Sequence, residues 1–159
     1  MPGGGSISSP DLQNEGLCAV LLRLQQEAFE RELSLTGLAA EPLDDTAGAL
    51  RRSDETFLVA RGSGMDDNEA IGLVAWRSTA RGVEATRLFV DSRWQRRGIA
   101  RALFVAMIEE VGVASPLLVE AALLNPAPIA LCRSLGFMDG PRREIGPGIT
   151  LLELWLNLR

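Results

Sequence analysis

The chain has 159 residues, 47% of them hydrophobic and 23% charged, with a formal net charge of −5. Its length suits one domain around one core, and its composition is that of a soluble globular protein. The acidic balance speaks against general nucleic-acid binding, which needs a basic surface, and suits a cationic substrate better.

Residues 1–10, MPGGGSISSP, lack the basic and apolar regions of a secretory signal. They read as a flexible N-terminal tail, which leaves 11–159 as a single domain. No apolar run approaches the ~18 residues of a membrane span, so no membrane partner is expected. Leu17, Val20, Leu21, Leu24 and Ala28 recur at helical spacing and predict a helix over 11–33. Residues 34–54 read as a loop and then a short helix near Asp45 to Arg52. TFLVAR from Thr56 and AIGLVAWRS from Ala70 predict a hairpin around the loop RGSGMDDNE. Gly62-Ser63-Gly64 in that loop lacks the third glycine and the following helix of a nucleotide loop. Ala80-Arg81-Gly82 turns the chain into the strand VEATRLFV. A helix follows with Ile99, Leu103, Phe104 and Met107 on its apolar face, bracketed by Gly112 and Pro116. PLLVEAALL is nearly all apolar, as in a strand covered on both faces. Asn125-Pro126 opens another helix, since Asn suits the N-cap and Pro the first helical position, and Gly136 ends it. ITLLELWLNL supplies a closing strand. The order predicts an α/β fold: a mixed, mostly antiparallel central sheet flanked by helices, with one βαβ crossover in the middle.

Histidine, lysine and tyrosine are all missing, so every basic residue is an arginine. A Ser-His-Asp triad, a Cys-His pair, a lysine Schiff base and a phosphate-loop lysine are therefore excluded within this chain. Two distant cysteines, Cys18 and Cys132, make neither a disulfide framework nor a zinc site, so the expectation is a reducing cytoplasm and no metal. Chemistry must rest on carboxylates, thiols, hydroxyls, backbone dipoles or a bound cofactor.

The stretch WQRRGIARALF places Arg96 and Arg97 at a helix start, where cations are normally disfavoured. An anionic ligand held by main-chain N–H groups around Gly98 is one reading of that choice, and a solvated helix start that happens to be basic is the other. Gln95-Arg96-Arg97-Gly98-Ile99-Ala100, the strand ending at Val90, VEAALLN and IALCRSLGF together resemble the Gcn5-related N-acetyltransferase (GNAT) superfamily over residues 84 to 137. The likeness extends to its bacterial small-amine and protein N-terminal acetyltransferases. The resemblance implies a βαβ acyl-CoA-binding core and acetyl-CoA as cosubstrate, without a metal. It implies that backbone groups of Leu88, Phe89 and Val90 meet the pantetheine arm. It also implies that the turn from Gln95 to Ala100 (Arg96, Arg97, Gly98 and Ile99 between them) holds the pyrophosphate, one arginine reaching the 3′-phosphate, and that Asn125 contacts the cofactor, serves as an N-cap, or both.

The implied reaction moves an acetyl group to a primary amine by direct attack, on a small molecule or a protein N-terminus. An ammonium must first lose a proton, and the developing oxyanion must be stabilised. Glu120, the only charge in its apolar strand, is the preferred base; it matches the Glu of the LEV-x-x-x-N pattern of ribosomal-protein acetyltransferases. An ion pair with an arginine is the competing reading. Glu84 is the reserve, placed by simple alternation on one face with Thr86 and Leu88, with an ordinary exposed strand end as the competing reading. Cys132 stands where the family usually has the Tyr that protonates the leaving thiolate. It reads either as a substitute acid or as a small buried hydrophobe. Glu30, Glu32, Glu41, Asp44 and Asp45 flank the implied acceptor region, as acceptor contacts or as ordinary surface. A catalytically weak acyl-CoA-binding or sensing module is the alternative function. Trp155 and the last strand leave a homodimer open.

Overall fold

The computed structural model describes residues 1–37, 45–112 and 114–157. Helix α1 (Glu15–Thr36) starts later than its apolar repeat alone implies. Asp11 to Asn14 form a turn, and Asn14 is the cap, its side chain accepting from the Leu17 N–H at 3.0 Å. The helix runs on to Thr36 because the first left-handed residue is Gly37. A short helix α2 (Ala47–Arg52), capped by Thr46, follows. Then come β2 (Thr56–Arg61), β3 (Gly72–Thr79), β4 (Gly82–Val90), α3 (Ile99–Val111), β5 (Leu117–Ala122) and α4 (Pro126–Ser134). The chain closes with β6 (Met138–Gly146) and β7 (Ile149–Leu156). No helix among the described residues is long and apolar enough to cross a membrane.

Seven strands form one sheet in the order β1-β2-β3-β4-β5-β7-β6, with β1 at Ser6–Ser8. Every neighbouring pair is antiparallel except β4 and β5, which flank the α3 crossover. Both faces are covered. Leu58, Val74, Leu117 and Val119 meet Leu103, Phe104 and Met107 of α3 and Ile129 of α4. Phe57, Val59, Leu73 and Ala75 on the opposite face meet Leu17 and Leu21 of α1 and Leu50 of α2. This explains why β2 and β3 are apolar on consecutive residues instead of alternating.

Two strands depart from the sequence reading. Residues 6–8, expected within a flexible tail, pair with β2 as an edge strand, and only Ile7 packs inward. A three-residue strand in a Gly- and Ser-rich run carries no alternation to read. Residues 138–146, where the sequence reading places no element, form β6, which hairpins onto β7. Its sequence MDGPRREIG is mostly exposed, and its register shifts between Asp139 and Arg142 around Gly140-Pro141. Proline and charge in an edge strand block further pairing and erase the usual strand signal.

Candidate active site

The site begins where β4 and β5 part. They pair only at Val83 with Leu117 and Glu84 with Leu118. On its other side β4 stays paired with β3, but the register slips: Ala75 pairs with Arg87 and Trp76 with Ala85. Thr86 is thus an extra residue, a bulge that bends β4 away from β5. Beyond it, one edge of β4 faces an open gap instead of a strand.

The start of α3 closes one end of that gap. Arg96 has φ +61° and Gly98 has φ +77°, both left-handed. Glycine carries that conformation without penalty, whereas Arg96 holds it at a cost of order 1 kcal/mol or more. No side chain caps α3, whose first backbone bond runs from the Ala102 N–H to the Gly98 carbonyl. The N–H groups of Ile99, Ala100 and Arg101 therefore lack intrahelical acceptors, as in an anion site. A Cβ on Gly72 would lie 3.0 Å from Leu103 Cδ1 and 3.1 Å from the Phe89 carbonyl, so that glycine lets α3 sit close on the sheet. Asp91 caps the short 3-10 turn Ser92–Trp94 between β4 and α3. The Arg93 hydrogen bond holds the Asp91 carboxyl below the usual carboxylate range, against its burial.

A cleft of about 410 Å³ runs from this helix start along Leu88, Phe89 and Val90 to Asn125, with Arg31 and Glu32 of α1 as its far wall. It meets a second cavity of about 210 Å³ that reaches Thr86, Arg87 and Glu120. Glu32, Leu88, Phe89, Asn125 and Pro128 line both.

Of the turn residues, Arg96, Gly98, Ile99 and Ala100 line the cleft, joined by Arg101, which the motif did not single out. Arg97 instead stacks over the Trp94 ring, 4.8 Å from its centroid, and lines a separate cavity. The Gln95 side chain turns back and donates to the Val90 carbonyl at 2.9 Å, fastening the turn to β4. Arg31 donates to the same carbonyl at 3.1 Å. The Val90 oxygen is thus already engaged twice. Backbone groups of successive strand residues alternate in direction, and the Phe89 carbonyl turns to β3 beside Gly72, so Leu88 is the residue whose backbone faces the gap. Asn125 makes no side-chain cap bond and faces both cavities, so its side chain is not committed to capping.

Glu120 stands at the gap, its side chain 26% exposed, with both carboxylate oxygens 2.9 Å from Arg143 Nη2. The carboxylate raises the pKa of that guanidinium. Directly across the β5–β7 ladder is Glu153, gripped by Arg81 at 2.8 Å, so two facing carboxylates are each offset by an arginine. Glu84 lies on the paired part of β4 opposite Arg77 and lines neither cavity. The alternation that grouped it with Thr86 and Leu88 fails at the bulge: Leu88 packs toward the α3 face, whereas Thr86 points to the α2 side. Of the two readings of Cys132, the structure fits the small buried hydrophobe. It is 0% exposed within the core below α4, and burial pushes its thiol up to about 12. Its neighbour Leu131 lines the cleft instead.

Of the acidic residues flanking the acceptor region, Glu32 reaches the cavities, Glu30 accepts from Gln26 on the exposed side of α1, and Asp45 is bound to Arg87. Glu41 and Asp44 lie outside the described residues. The motif reading missed the Arg87 cluster altogether. Arg87 forks onto Glu55 through Nε (2.9 Å) and Nη2 (2.8 Å), and its Nη1 meets Gln25 Oε1 (2.6 Å) and Asp45 Oδ2 (2.7 Å). The Glu55 side chain is 1% exposed. Burial alone would raise its pKa; hydrogen bonds from Arg87, Thr86 and Ser53, with the Arg87 charge, outweigh burial and hold it at about 2. The available signal was Arg87 as a charge in mid-strand, the same signal that marked Glu120.

Comparison with known proteins agrees with this architecture. The acetyltransferase (GNAT) domain family matches residues 53–139. No curated protein sequence matches the chain significantly. Among solved structures, the chain is similar to ribosomal-protein-alanine N-acetyltransferase from Brucella melitensis, with 22% identity over 96% of this chain and 99% of that one, at a TM-score of 0.74. It is similar to an N-acetyltransferase from Staphylococcus aureus Mu50, with 16% identity over 98% and 99% and a TM-score of 0.75. It is also similar to Arabidopsis thaliana NAA60 in complex with a bisubstrate analogue, with 16% identity over 96% and 97% and a TM-score of 0.63. At these identities the solved structures speak to the fold, while the family match covers more than half of the chain. The chain therefore belongs to the GNAT family of N-acetyltransferases.

Proposed function

We propose that this protein transfers an acetyl group from acetyl-CoA to a primary amine, with the coenzyme in the 410 Å³ cleft and the amine arriving through the smaller cavity beside Glu120. One observation carries the reading: the gap between β4 and β5 leads from the uncapped start of α3 to the Glu120 carboxylate, whose Arg143 partner is exposed. The free N–H groups of Ile99, Ala100 and Arg101 receive the diphosphate, and Arg96 and Arg101 add positive charge beside it. The Leu88 backbone, which faces the gap, orients the pantetheine arm and supplies a donor to the thioester oxygen.

Glu120 takes a proton from the substrate ammonium. The amine nitrogen then bonds to the thioester carbon, and the carbonyl π electrons move to oxygen. The nitrogen of the adduct gives up its second proton to water, collapse restores the carbonyl and breaks the C–S bond, and the coenzyme leaves as its thiolate. With Cys132 in the core, water is the proton source for that thiolate. Glu32 gives the junction of the two cavities a second carboxylate, in keeping with a cationic acceptor. A protein N-terminus is one candidate, since a ribosomal-protein-alanine acetyltransferase is among the similar folds. Two free, buried cysteines suit a reducing cytoplasm.

The position of Cys132 favours a second reading, a weakly catalytic acyl-CoA-binding module. A thiol-release assay with acetyl-CoA and a panel of amines and N-terminal peptides separates the two. Turnover that collapses in Glu120→Gln supports the transferase. Coenzyme binding without turnover on every acceptor supports the module, and no binding at all removes both.

A further inference from the structure

Consecutive residues of a β-strand point to opposite faces. Thr86 and Arg87 do not: both reach the same carboxylate. Thr86 Oγ1 donates to Glu55 Oε2, Arg87 Nε donates to Oε2 at 2.9 Å, and Arg87 Nη2 donates to Oε1 at 2.8 Å. Ser53 Oγ fills the remaining side of that carboxylate, donating to Oε1 at 2.7 Å. This convergence is possible only because Thr86 is the unpaired residue of the β4 bulge. The bulge lies two residues beyond the last β4–β5 pair, Glu84 with Leu118, so it sits where the gap opens.

We propose that Glu55 is a positioning residue for coenzyme binding: its carboxylate staples Thr86 and Arg87 into the bulge and so keeps β4 away from β5. The inference rests on the reading of the gap as the coenzyme site. Glu55 lines neither cavity, so any effect on binding must pass through β4. Without the staple, Thr86 is free to rejoin the pleat. Removing the extra residue from the register turns every later side chain to the other face, which exchanges Leu88 and Phe89 and withdraws the backbone groups that face the slot. The Arg87 guanidinium is fixed from three further directions, by Gln25 of α1, by Asp45 ahead of α2 and by the Phe57 ring 5.7 Å away. The staple therefore ties the bulge to the helices on the α1–α2 face of the sheet.

The test is calorimetric titration of coenzyme A into the full chain and into Glu55→Gln, Thr86→Val and Thr86→Ser, each well below its own unfolding midpoint. The expected result is at least a tenfold weaker Kd for Glu55→Gln and Thr86→Val, with most of the affinity restored in Thr86→Ser, which keeps the hydroxyl. A residue that serves only folding lowers the midpoint and leaves the Kd of the folded protein unchanged; that result in both variants overturns the inference. If Glu55→Gln does not fold, the Thr86 pair decides alone. Failure of the unaltered chain to bind coenzyme A would sink the coenzyme site itself and this inference with it.

Discussion

Glu55 and Glu120 sit in different regions of one sheet and show opposite uses of a carboxylate. Glu55 is buried at the entry to β2 and receives donors from Ser53, Thr86 and Arg87. Glu120 lies at the edge of the β4–β5 gap and has one partner, Arg143, whose side chain is 60% exposed. A buried, fully paired carboxylate holds structure, since removing one partner leaves an uncompensated charge. An ion pair open to water contributes little, roughly 0–1 kcal/mol, and exchanges partners readily. The contrast explains why a base suits the second position and a staple the first.

Glu55→Ala tests the structural half and carries the largest expected effect. It leaves the Arg87 guanidinium short of two acceptor oxygens and costs about 3 kcal/mol or more, which corresponds to a fall of roughly 10 °C in Tm for a chain of this size. Thermal unfolding measures it, and a change below about 2 °C would show the cluster to be dispensable.

Acid unfolding sharpens the same point. Folding depresses the Glu55 pKa from an ordinary 4.5 to about 2. Its contribution is therefore complete above about 4.5 and is lost as pH falls toward 2. The difference amounts to about 3 kcal/mol. Denaturant titrations between those pH values should show stability falling steeply in the unaltered chain and less steeply in Glu55→Gln.

Glu120→Gln tests the chemical half. Loss of a positioned base lowers kcat by about 100-fold or more, while Tm moves by no more than about 2 °C because the Arg143 pair is exposed. A large loss of stability with kcat intact would reverse the roles assigned to the two carboxylates.

Asn125→Ala carries the smallest stability effect. Losing a bonded N-cap costs typically ~1 kcal/mol, but Asn125 makes no such bond. Its removal should change stability by less than about 0.5 kcal/mol and still weaken coenzyme binding in a calorimetric titration. A full capping penalty with unaltered binding would return Asn125 to a purely structural role.

Much of the fold was legible because it lies in local pattern. The apolar repeat of α1, the continuous apolar run of β5, the Asn-Pro entry to α4 and the turn around Gly98 all announced themselves. The first strand and β6 did not, since Ser6–Ser8 and a Pro- and Arg-rich edge become strands only through pairing with neighbours. The site divides in the same way. The helix start and Glu120 followed from sequence spacing, and the structure places the first at the cleft and the second at the smaller cavity that adjoins it. Alternation put Leu88 on the face of Glu84 and Thr86, but one bulged residue reverses every facing that follows it. The Glu55–Arg87 cluster joins residues 32 apart, and Cys132 turns inward through helical phase, so no motif carried either fact.

The central claim is that the main-chain donors at the start of α3 and the open edge of β4 together hold coenzyme A. A titration of the ¹⁵N-labelled chain with coenzyme A, followed by two-dimensional NMR, tests it most directly. The account predicts that the largest amide shifts fall on Gly98, Ile99, Ala100 and Arg101 and on Leu88 and Val90. Saturating coenzyme that leaves those amides unmoved, or that shifts only residues elsewhere on the surface, would contradict it.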